Sequence, residues 1–167
     1  MLMLLRHLLS IVVLPFVVVV LVPLWLLNAI PPGDVPLADA ALLAMVLHAI
    51  GAALFIIGLG LFSWCVSLFV RVGRGTLAPW DPTRNLVAVG PYRYVHNPMI
   101  SGVAAMLMGE AVLLGSIALS LWACIFVVIN HAYFVLLEEP GLEERFGEPY
   151  RVYKANVPRW IPRLRRL

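Results

Sequence analysis

Residues 90–102 read GPYRYVHNPMISG, a polar and aromatic stretch between two oily ones. Asn97 is a good N-cap and Pro98 suits the first helical position, so the pair predicts a helix start. Such a start offers unpaired N–H groups and the positive end of the helix dipole, both of which attract an anion. Further along, Glu138 and Glu139 close an apolar run as adjacent carboxylates and require a cation. An amino-acid head group carries both charges, its carboxylate suited to the dipole and its ammonium to the acids. Tyr92, Tyr94 and His96 add flat faces for a base or a sulfonium, which aromatic rings attract as they do other cations. The combination points toward S-adenosylmethionine. The same charges also suit internal pairing with Arg93 or Arg145, so a structural role stays open.

Elements able to hold these residues follow from composition. Of 167 residues, 62% are hydrophobic and 13% charged, and the mean hydropathy is +0.96. A soluble domain of this size could not hide so much apolar surface, which predicts a bilayer protein. Cys65 and Cys124 lie in separate apolar runs and make neither a disulfide framework nor a zinc pattern, so no metal is expected. A formal charge of +3 gives no reason to expect nucleic acid.

The expected fold is all-α, a single polytopic membrane bundle over residues 1–167 with about four spans and a C-terminal interfacial amphipathic helix. The first helix covers about 8–30, with Pro15 and Pro23 as kinks whose freed carbonyls need neighbours. Ala38-Asp39-Ala40 imitates a cleavage site, but the apolar region before it is too long for an ordinary signal peptide. The second helix, about 40–70, carries Ala44, His48 and Ala52 on one face. A polar loop spans 71–97, and its GxG at Gly73 and Gly75 lacks the strand a dinucleotide fingerprint needs. The third helix, about 98–114, has a small-residue stripe at Ser101, Ala105 and Gly109, followed by Glu110 inside the apolar segment. Gly115-Ser116 turns the chain into the fourth helix, about 117–137, with His131 and the two acids near its end. In the tail, 138–167, Phe146, Tyr150, Tyr153 and Val157 share one helical face, suited to lying at the membrane surface.

With four spans, one side of the membrane holds all 12 basic residues. Positive-inside then places both termini and both polar stretches in the cytoplasm.

Three blocks, GPYRYVHNPMISG, EEPGLEERFGEPYRVY and VPRWIP, resemble the isoprenylcysteine carboxyl methyltransferases, membrane enzymes related to the phospholipid methyltransferases. The likeness covers roughly the second half of the chain. It implies a helical membrane bundle that binds S-adenosylmethionine at the cytosolic face and admits a lipophilic substrate from the bilayer. By position it implies cofactor contacts from Gly90, Tyr92, Arg93, Tyr94, Pro98, Glu138 and Glu139, with Tyr150 and Tyr153 closing the pocket. Where the family usually reads Arg-His-Pro, this chain reads His96-Asn97-Pro98, and Ile100 stands where a Tyr is common. Asn97 can cap the helix and hydrogen-bond a carboxylate but cannot act as acid or base.

Methyl transfer from a sulfonium requires mainly alignment in a water-poor site. A carboxylate acceptor needs only a cation to position it, Arg93 or Arg151, whereas an amine or thiol needs a base, for which Glu110 and His131 are candidates. The preferred reading has no base. The acceptor stays open between an isoprenoid-linked carboxylate, a phospholipid amine and a small lipophile. The rival expectations are a non-catalytic membrane scaffold and a sterol-type reductase.

Overall fold

The computed structural model describes residues 15–31, 41–73 and 85–162, and every regular element among them is helical. Helix α1 is Val17–Ala29, α2 Ala41–Gly73, α3 Pro98–Leu113 and α4 Ile117–Phe146. Helix α5 is Glu148–Asn156. The start of the expected first helix, Ala38-Asp39-Ala40 and Gly75 lie outside the described residues.

Among the described residues only α2 and α4 are long and apolar enough to cross a membrane; α1 and α3 are apolar but shorter there. The 16 residues of α3 reach about 24 Å at ~1.5 Å per residue, short of the ~30 Å hydrocarbon core. Four spans are therefore not seen among the described residues. The apolar surface of the long helices faces outward, with Leu42 71% and Leu136 70% exposed, as a lipid solvent allows.

Helix α3 lies between α2 and α4. It packs against α2 along two glycine pairs: a Cβ on Gly102 would fall 2.8 Å from the Gly58 carbonyl oxygen, and one on Gly109 2.7 Å from that of Gly51. The two backbones meet where a side chain has no room. This seam uses a spacing of seven, so Gly102 and Gly109 form it rather than the expected stripe of Ser101, Ala105 and Gly109. On its other side α3 shares a core with α1 and α4, in which Leu107 and Ala123 are each 1% exposed.

Two prolines shape the bundle through widened turns. In α1 the Val22 N–H bonds the Val17 carbonyl, a five-residue step. The next donor in that register would be Pro23, which has no N–H. Trp122 of α4 takes its place, its indole Nε1 donating to the Val18 carbonyl at 3.1 Å. The expectation that a neighbour must satisfy a carbonyl freed by proline is thus met. In α4 the turn Phe134–Glu138 widens in the same way, the Glu139 N–H bonding the Phe134 carbonyl. Pro140 follows without breaking the rod, because the wide turn accommodates its ring.

The fourth helix consequently does not stop at Leu137 but runs on to Phe146, and Glu138 and Glu139 sit within it rather than at its C-terminus. Gly147, at φ +61°, turns the chain into α5. The apolar face of α5 is as expected, but Tyr150, Tyr153 and Val157 pack on Leu86, Ala88, Leu142 and Phe146. That face is spent on the chain itself and not on the membrane surface.

Candidate functional site

The turn Gly90–Arg93 is a tight helical turn entered at positive φ, +60°, by Gly90. A Cβ on Gly90 would meet the Leu68 side chain at 2.9 Å, so the glycine lets the turn close on the end of α2. Tyr92 is thereby buried, its ring 5.7 Å from that of Phe69. Arg93 and Tyr94, the next two residues, point outward and are exposed. Pro98 opens α3 as expected, but Asn97 makes no side-chain cap. Its carbonyl instead accepts from both the main-chain N–H and the hydroxyl of Ser101 at 3.1 Å.

Helix α5 is fastened to this turn by Tyr153, whose hydroxyl donates to the Tyr92 carbonyl at 2.7 Å. Tyr153 also meets the His96 ring edge-on, with centroids 5.0 Å apart. Tyr150 is 2% exposed beside it. Burial first, then the neighbouring Cys65, Tyr153 and Glu138, holds the Tyr92 phenol above its ordinary value. Burial does the same to Tyr150, reinforced by Glu139 and Glu138. The acids of α4 and the aromatic residues on either side of them therefore share one electrostatic neighbourhood.

Glu139 is 4% exposed and already paired. Arg159 grips it with both ends of the guanidinium, Nε at 2.6 Å and Nη2 at 3.0 Å, and Lys154 Nζ lies 3.0 Å away. The cations at Glu139 thus come from the tail. Arg145 lies over the Phe146 ring at 5.1 Å. Residues 157–162 run back over α4 and α3: the Pro158 carbonyl accepts from the His96 N–H at 2.9 Å. Trp160 donates to His131 Nδ1 at 3.1 Å and packs on Phe134.

His96 itself is 9% exposed, and among the described residues neither ring nitrogen has a hydrogen-bond partner. Burial lowers its pKa from the ordinary histidine value; Glu139 pulls it up, while Arg159 and Lys154 push it further down. Beside it opens a cavity of about 290 Å³ lined by His96, Lys154, Ala155, Val157, Pro158 and Arg159.

The other residues singled out in the sequence lie elsewhere. Glu110 is 12 residues along α3 from Pro98, about 18 Å at ~1.5 Å per residue. One of its carboxylate oxygens is buried without a hydrogen-bond partner among the described residues, but the fold does not bring it to the Tyr92 end. Arg151 is held on the surface by Glu143 at 2.8 Å and Glu148 at 3.5 Å. His131 accepts from Trp160, and exposed His48 bonds its own helix at the Ala44 carbonyl. Lys154, Arg159 and Trp160 are not among the site residues expected from the sequence, although Arg159 and Trp160 lie in its VPRWIP block.

Residues 46–149 match the phospholipid methyltransferase family. The chain belongs to that family. An uncharacterised protein of Haemophilus influenzae is also similar, 32% identical over 63 residues that make up 38% of this chain and the whole of that protein. No solved structure matches. The phospholipid methyltransferase match takes in α3, the acid pair and the start of α5, and with the two long apolar helices it identifies a membrane protein of a methyltransferase family.

Proposed function

We propose that this protein transfers a methyl group from S-adenosylmethionine to a lipophilic acceptor at the membrane surface. What carries the reading is the meeting of the Tyr92 turn, His96 and the Glu138-Glu139 pair, joined by the Tyr153 bond to the Tyr92 carbonyl. The residues fit the charges of such a cofactor. Glu138, half-buried and next to the occupied Glu139, offers a carboxylate to an ammonium. Tyr94 presents an exposed ring at the same turn, suited to a sulfonium or a base. The cofactor when bound supplies a methyl carbon already activated toward displacement.

This chain's own residues would orient and exclude water. Buried Tyr150 and Tyr153 close the site on the α5 side, and Tyr92 closes it on the α2 side. Arg93, exposed beside Tyr94, is placed to position an anionic acceptor. The reading gives no role to Glu110, which lies far along α3 from Pro98, or to Arg151, which is paired on the surface with Glu143 and Glu148, and it assigns no general base. The family's name favours a phospholipid amine over an isoprenoid-linked carboxylate. An amine acceptor would have to arrive neutral. We read the protein as multi-pass, with both termini and the site on the cytosolic side, from the one-sided distribution of its basic residues.

A second reading is favoured by one observation, the saturation of Glu139 by Arg159 and Lys154: a scaffold in which the acids only brace the tail. Titration of the detergent-purified chain with S-adenosylhomocysteine separates the two. A binder gains about 2.7 kcal/mol of stability at a hundredfold excess over Kd; a scaffold gains none, and a reductase responds to NADPH instead. Methyl transfer from labelled cofactor into vesicles of phosphatidylethanolamine, against farnesylcysteine, then identifies the acceptor.

A further inference from the structure

The cavity beside His96 has walls of one electrical character. Among the described residues Lys154 and Arg159 line it and no carboxylate does, and His96 completes it with two buried nitrogens that have no hydrogen-bond partner there. Leaving a buried polar group unsatisfied is costly, and such a group is found where something else completes it. The cations are partly exposed, Lys154 33% and Arg159 41%, so they have surface left to offer. Glu139 shares one negative charge between the two of them, and Glu143, the other acid near Lys154 at 3.7 Å, lies closer to Arg151. Two residues beyond His96, α3 opens at Pro98, and its dipole adds positive potential at this end of the helix.

We propose that this cavity is an oxyanion site, in which Lys154, Arg159 and His96 hold a carboxylate or phosphate group of a bound ligand. At about 290 Å³ it falls just under the ~300–1,000 Å³ of sites that take whole small molecules, a size for the acidic end of something larger. Glu139 then has a different duty from ligand binding. It anchors Arg159 bidentately and Lys154 at 3.0 Å, fixing both cations where the cavity needs them. The inference rests on the methyltransferase reading in one respect only: that reading supplies two ligands with an acidic group, the amino-acid end of the cofactor and the phosphate of a lipid.

His96→Phe gives the cleanest test, because it removes two nitrogens that make no hydrogen bond and keeps a flat ring against Tyr153. Lys154→Gln is the second variant, leaving the bidentate Arg159 grip in place. Affinity is measured on the full chain in detergent for two pairs of probes. S-adenosylhomocysteine is paired with 5′-methylthioadenosine, which lacks the amino-acid end; phosphatidic acid is paired with diacylglycerol. Both variants should weaken the acidic member of at least one pair about tenfold, the scale of a lost hydrogen bond to a charged group, and leave its neutral counterpart unchanged. Loss confined to the first pair identifies the ligand's carboxylate, and loss confined to the second a lipid phosphate. Unchanged affinity for both acidic probes, or equal loss for acidic and neutral members, overturns the oxyanion site. Wild-type protein that ignores both nucleosides would overturn the methyltransferase reading instead, with the phosphatidic acid pair still deciding the site.

Discussion

The Tyr153 hydroxyl and the Tyr92 carbonyl are 61 residues apart in sequence and 2.7 Å apart in space. This bond ties α5 to the turn that precedes α3. Tyr153→Phe strands a buried carbonyl without its donor, at a cost of about 1–3 kcal/mol. Thermal unfolding in detergent should show the loss, and S-adenosylhomocysteine binding should weaken with it. A variant as stable as the parent would mean that the tie is dispensable.

Arg159 and Arg151 both pair with glutamates, yet they should behave differently. Glu139 is 4% exposed beneath Arg159, so Arg159→Gln leaves a buried carboxylate with only Lys154 and should cost about 1–3 kcal/mol. Arg151 is 60% exposed, and Arg151→Gln should fall within about 0.5 kcal/mol of the parent. Denaturation of the two variants side by side makes the comparison, and equal effects would contradict it.

Lowering the pH should weaken the fold through His96. Burial holds its folded pKa below the ordinary 6.5, so the unfolded chain takes up a proton first. Stability is full above about pH 6.5, falls as the pH drops toward the folded value, and levels off once the folded histidine also protonates. His96→Phe should flatten the melting temperature across that window. An identical pH profile in the variant would remove His96 as the cause.

Gly102→Ala should disrupt the seam and Gly60→Ala should not. A Cβ at Gly102 meets the Gly58 carbonyl oxygen at 2.8 Å, whereas nothing lies within 4 Å of one at Gly60. Overpacking at the first should cost about 1–3 kcal/mol, and the second should be neutral or stabilising by up to ~1 kcal/mol. Melting curves of the two variants give the answer directly.

Much of the architecture can be read locally. Pro98 begins a helix, Gly115-Ser116 turns the chain, with Ser116 accepting from the Leu119 N–H at 3.3 Å, and the apolar face of Tyr150, Tyr153 and Val157 forms as its periodicity predicts. These signals lie within one or two turns of chain. The run of α4 past its expected end near 137 is not legible, because a proline such as Pro140 ends an ordinary helix but not one whose preceding turn is widened, and that widening leaves no mark in residue types. Glycines seven apart on α2 and α3 become a seam only once the two helices are paired. The partners of Glu139 were the hardest to foresee: the need for a cation was legible, but Arg159 stands 20 residues away, and only the return of the tail across α4 brings it there.

Where Gly51 meets Gly109 and Gly58 meets Gly102, main chain rests on main chain. An acyl tail cannot thread between two rods that already touch. A lipid in the bilayer therefore meets a closed wall along the α2–α3 face, so the seam bars passage as well as bracing the bundle.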